Sequence, residues 1–124
     1  MFSYGKFSEA TVKYNECIQN LSTTVPGNFN IHSLLLSNIA ACHLKLKNHS
    51  YCIGFCDESL SINPHNIKSI LTRATANGKM GNQLKSYGDY QLACLLDPSN
   101  DRAQGGLRRV SALLLSQHGE QWNS

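Results

Sequence analysis

The pentapeptide Ile62-Asn63-Pro64-His65-Asn66 returns as Leu96-Asp97-Pro98-Ser99-Asn100, so the chain repeats itself with a period of 34 residues. The same offset takes Leu36 to Ile70, Ala40 to Ala74, Leu46 to Met80 and Leu60 to Cys94 without a gap. A unit of that length is too small to bury its own apolar face and must stack on its neighbours. Proline closes each unit, because it lacks an amide donor and clashes with the preceding turn, so a helix stops before it. A stacked helical array is the expected architecture.

Within the unit, small residues recur where two helices of a hairpin must approach closely. Ala40 and Ala74 occupy the middle of the first helix. Cys52 and Ser86, then Ser59 and Ala93, hold the small positions of the second, and Cys56 and Tyr90 fill the larger gap between them. This pattern resembles the tetratricopeptide repeat. The resemblance implies an all-α fold, a right-handed superhelix of antiparallel helix pairs with about two and a half repeats and a C-terminal capping helix.

The expected division is a single domain over residues 1–117, with a truncated repeat at 1–30 and full repeats at 31–64 and 65–98. A capping helix at 100–117 and a flexible tail at 118–124 complete it. The truncated unit starts at Gly5–Ala10, the turn between helices, and places Tyr14, Cys17 and Ile18 at the spacings of Cys56, Ser59 and Leu60. Its offset is 42 rather than 34, and the extra residues fall in the loop Ser22–Phe29, marked by Pro26-Gly27. Its first helix has no room ahead of the turn. At the other end Ala103, Leu107, Val110 and Leu114 form one helical stripe, with Arg102, Arg108 and Arg109 off it. Gly105-Gly106 weaken that helix by about 1 kcal/mol each relative to alanine.

Composition narrows the function. A net charge of +3, from 11 Lys and Arg against 8 Asp and Glu, is too mild and dispersed for a nucleic-acid partner. The most apolar stretch, around Leu34-Leu35-Leu36, is far short of a membrane span of about 20 residues. Nothing at the start reads as a secretion signal, so the five cysteines are expected as free thiols in the cytoplasm. No phosphate loop, nucleophile elbow or His-Glu metalloprotease motif is present, so neither an enzyme nor a cofactor is expected. Cys42, His43, His49, Cys52 and Cys56 offer zinc-competent atoms. Cys52 and Cys56 sit at core positions of the repeat, which favours buried thiols over a metal site. His43 is expected to be a packing residue with a satisfied nitrogen.

A solenoid of this kind offers a groove lined by the first helix of each pair, here about residues 31–46 and 65–80. The groove candidates are Asn38, Ala41 and Lys45 on one helix, with Lys68, Thr72 and Thr75 on the other. A protein or peptide partner is expected there.

A narrower likeness lies in Ser37-Asn38-Ile39-Ala40-Ala41-Cys42-His43-Leu44-Lys45, in Asn48 through Cys56, and in Lys68-Ser69-Ile70-Leu71-Thr72-Arg73-Ala74. These stretches resemble the tetratricopeptide domains of co-chaperones, in particular the sperm-associated antigen one and cytosolic Tom-group import branches. That family clamps the acidic C-terminal tails of heat-shock chaperones with charge-assisted hydrogen bonds to carboxylates. Carried over by position, the clamp asparagine is Asn38 and a clamp lysine is Lys68. The clamp arginine falls on Thr72, with Arg73 about 100° round the helix, and the first-helix pair has no counterpart. The resemblance therefore implies a peptide-binding module with a degraded clamp. The alternative is a structural segment of a larger scaffold that self-associates through its exposed N-terminal end.

Overall fold

The computed structural model describes Val12 and residues 28–122, with side chains described for Val12 and residues 31–117. The expected turn and second helix of the truncated unit, including Tyr14, Cys17 and Ile18, lie outside the described residues. The described chain is all helix and turn: α1 (Asn28–Lys45), α2 (His49–Ile62), α3 (Ile67–Lys79), α4 (Gln83–Leu96) and α5 (Asp101–Trp122). Each helix packs on the next, and α3 also touches α1 and α5, as stacked hairpins require. α1 begins at Asn28, inside the stretch expected to be loop, and α5 runs on to Trp122, beyond the expected end at residue 117.

The 34-residue period is visible in the turns. Lys47 and Gly81 both take left-handed backbone, with φ of 63° and 83°. The following amide in each case returns to the helix just ended, Asn48 N to His43 O at 2.9 Å and Asn82 N to Asn77 O at 2.8 Å. These bonds satisfy carbonyls left open at a helix end. Between units, Asn66 and Asn100 cap the next helix. Asn66 Oδ1 accepts from Ser69 N at 3.2 Å, and Asn100 Oδ1 accepts from Ala103 N at 3.0 Å.

Two buried clusters follow the stacking. One joins Ala40, Cys52, Cys56 and Ala76 where α1, α2 and α3 meet. The other joins Ile70, Leu71, Ala74, Tyr90, Ala93, Ala103 and Val110 across α3, α4 and α5. Small side chains at the expected positions bring the helices close enough for polar groups to reach across. Ser59 Oγ donates to Ser33 O at 2.8 Å and lies 2.7 Å from Ser69 Oγ, which ties α2 to α1 and α3. Ser86 Oγ donates to Ala74 O at 2.8 Å, which ties α4 to α3. Each hydroxyl is buried and hydrogen-bonded, so its desolvation is offset.

Gly106 has a specific reason to be glycine. A Cβ built there would stand 2.2 Å from Tyr90 Cε1, inside the ring's own volume, whereas one at Gly105 meets nothing within 4 Å. The repeat's large position therefore drives Tyr90 straight into the backbone of α5. Helix propensity alone reads the glycine pair as a cost at both positions; at Gly106 the glycine is what lets the capping helix dock.

Candidate peptide-binding groove

α1, α3 and α5 are the first helices of successive units, and their facing sides form one wall of the solenoid. Asn38 is half-buried on α1, and Lys68 is exposed in the first turn of α3. Lys68 Nζ donates to Asn38 Oδ1 across the seam. With its oxygen engaged, Asn38 keeps its amide protons to give, and the ammonium keeps two of its three. The pair presents donors of one kind at one place, the arrangement a carboxylate needs.

The other expected residues are distributed along the same wall. Ala41 is half-buried one turn beyond Asn38, and Lys45 is exposed in the last turn of α1. Lys45 lies about 10 Å along the axis from Asn38. Thr72 is 3% exposed and supplies no charge one turn beyond Lys68. Arg73 does not stand in for it. Its Nε and Nη2 grip the two oxygens of Asp89, both at 2.8 Å, while Nη1 reaches Asp57 at 2.7 Å. The hydrogen bonds to Asp89, against the cost of burial, hold its guanidinium well above the ordinary range. Arg73 is a strut joining α2, α3 and α4.

Thr75 belongs to a second cleft, between α3 and α5. Its Oγ1 donates to Leu71 O at 2.9 Å and accepts from Arg102 Nη2 at 3.1 Å. The cleft encloses about 480 Å³ and is lined by Thr75, Lys79, Tyr90, Arg102, Arg109 and Leu113 among others. Arg109 Nη2 donates to Tyr90 Oη at 3.1 Å, with its guanidinium carbon 5.8 Å from the ring centroid. Sequence reasoning set Arg102 and Arg109 aside as lying off the apolar stripe. The signal was present: the period carries Lys68 onto Arg102 and Thr75 onto Arg109, the repeat equivalents of two groove candidates.

The zinc-competent residues are built into the packing. Cys52 and Cys56 are fully buried within the first cluster. The Cys56 thiol is pushed far up by its hydrogen bond with Cys52 and then by burial, so it stays protonated. His43 stacks on Phe55, with centroids 5.2 Å apart, and on Tyr51 at 5.6 Å. Its Nδ1 lies 3.4 Å from Asn48 Nδ2, and burial lowers its pKa below 6.5. Among the described residues no three His, Cys, Asp or Glu side chains gather as a metal site.

A wall of first helices, closed turns at a 34-residue interval and a terminal helix docked on the last pair make up the fold of a tetratricopeptide solenoid. No family profile matches the chain. Over 98% of its length it is 32% identical to sperm-associated antigen 1 from Mus musculus, of which it spans 14%. It is likewise 32% identical to mitochondrial import receptor subunit TOM34 from Pongo abelii, across 98% of the chain and 39% of that protein. Among solved structures, the first TPR domain of Spaghetti (RPAP3) bound to the HSP90 peptide SRMEEVD superposes with a TM-score of 0.77 at 23% identity. That match covers 90% of this chain and 82% of the other, and it fixes the fold. The chain thus has the tetratricopeptide solenoid fold, and it spans well under half the length of the curated relatives named here. None of the described helices is long and apolar enough to cross a membrane.

Proposed function

We propose that the chain is a non-catalytic interaction module whose groove holds an acidic peptide by its terminal carboxylate. Chaperone tails of the kind bound by the Spaghetti domain are the model partner, since SRMEEVD carries three acidic residues in its last four and ends on one. The observation that carries this reading is the Lys68–Asn38 pair across the α1–α3 seam. Ala41, Thr75 and Lys45 extend the contact surface, and Thr72 marks where the clamp arginine of the co-chaperones is replaced. The thiols of Cys52, Cys56 and Cys94 fit a reducing compartment, and with it a cytoplasmic protein.

The clamp on the described residues is reduced, so affinity is modest. Each charge-assisted donor is worth roughly 1.5–3 kcal/mol, against about 8 kcal/mol for a micromolar complex. Calorimetric titration with an acidic chaperone-tail peptide is expected to give a Kd weaker than about 10 μM. Lys68→Ala lowers the affinity by roughly a further tenfold. Binding tighter than that, unchanged in Lys68→Ala, contradicts the clamp assignment.

A second reading has its own observation. Ile31 and Leu34 are half-exposed at the start of α1, an apolar edge suited to another helical unit or a second copy. Light scattering decides it: a dimer whose mass halves in Leu34→Lys supports a scaffold segment, and a monomer at all concentrations removes self-association.

A further inference from the structure

Among the described residues, three cations converge on the cleft between α3 and α5 without a carboxylate to answer them. Lys79, Arg102 and Arg109 line it, and among the described residues no Asp or Glu does and none of the three makes an ion pair. Arg102 is braced by Thr75 Oγ1 and Arg109 by Tyr90 Oη, each through a single Nη2. Each guanidinium therefore keeps the remaining edge of its donor fork for a ligand. The bracing partners sit on packed helices, and Tyr90 is itself core. A fork held in place in advance loses little freedom when an anion arrives.

We infer that this cleft is a second anion subsite, which takes the side-chain carboxylate of a Glu or Asp in the same peptide whose terminus reaches Lys68 and Asn38. The inference rests on the groove reading above and extends it. Thr75 and Lys79 lie 7 and 11 residues beyond Lys68 on α3, about 10–16 Å along the axis. An extended peptide covers that distance in roughly three to five residues. From a terminal carboxylate the chain can continue only upstream, so the acidic residue sits roughly three to five positions before the C-terminus. Half-exposed Leu113 lines the same cleft and can cover the methylenes of such a side chain.

The test compares two octapeptides with free C-termini, one carrying Glu three to five positions upstream and one with Gln there. Titration is followed by the NMR signals of the Asn38 side-chain amide and of the Arg102 and Arg109 Nε–H groups. The Glu peptide is expected to move all three signals and to bind roughly tenfold more tightly than the Gln peptide, which moves Asn38 alone. In an Arg102→Gln, Arg109→Gln variant with an unchanged melting temperature, the two peptides bind alike. Equal affinities in the parent protein, with Asn38 moving for both, overturn the second subsite and leave the groove reading intact. Arginine signals that move while Asn38 stays still support the cleft and overturn the carboxylate anchor. Silence at all three sites overturns both.

Discussion

Lys47 and Gly81 fill the same turn of successive units, and both have left-handed φ. Only glycine adopts that backbone without a steric cost. Lys47→Gly is therefore expected to stabilise the fold by about 0.5–1 kcal/mol, and Gly81→Ala to destabilise it by about 1 kcal/mol. Urea denaturation measures both; a loss of stability in Lys47→Gly would show that the lysine has a contact that offsets its strain. His43 makes a pH prediction. Burial lowers its pKa in the folded state, so the unfolded chain takes up the proton first as pH falls through 6.5. The stability that the neutral ring contributes is present above about pH 6.5 and is lost as pH falls below it, and His43→Phe flattens that decline. A denaturation midpoint with the same acid dependence in both proteins would rule His43 out as its source. The histidine's packing role was readable from its place in the repeat. Its partners Tyr51 and Phe55 were not, because a stacking partner is set by how α2 crosses α1 and not by spacing.

At the scale of the element, sequence and structure part most clearly at α5. Its apolar stripe was legible, and Ala103 and Val110 are buried where the stripe put them. The glycine pair looked like two equal weaknesses. Tyr90 separates them, since only the ring's position in the folded chain shows that Gly106 has no space and Gly105 has plenty. Gly105→Ala is expected to stabilise by up to about 1 kcal/mol through helix propensity. Gly106→Ala is expected to cost roughly 1–3 kcal/mol through overpacking, and to loosen α5 from α4. Thermal unfolding followed by circular dichroism distinguishes them; equal shifts of one sign would mean that Tyr90 moves aside freely. The start of α1 at Asn28 was hidden for a different reason. Pro26-Gly27 signals a loop, and nothing local says how soon the next helix begins.

At the scale of the whole molecule, the fold was legible because it is written twice. Two units in perfect register set the hairpins, their turns and the small positions that let Ser59 and Ser86 bond across helices. The groove was legible only in part, because a groove is made between units rather than within one. Position alone assigned Asn38 and Lys68 to neighbouring first helices, and the hydrogen bond between them emerges when α1 and α3 pack. Arg102 and Arg109 line the α3–α5 cleft, which an apolar stripe on α5 does not foretell, because the cleft exists only once α5 docks. Arg73, one residue from the clamp position, is committed to Asp57 and Asp89 by the stacking itself. A terminal carboxylate is what the Lys68–Asn38 pair is built to recognise. Calorimetry with one acidic tail peptide, as the free acid and as the C-terminal amide, isolates that group. Amidation is expected to weaken binding roughly tenfold or more. Equal affinity for the two forms would rule out recognition of the terminal carboxylate.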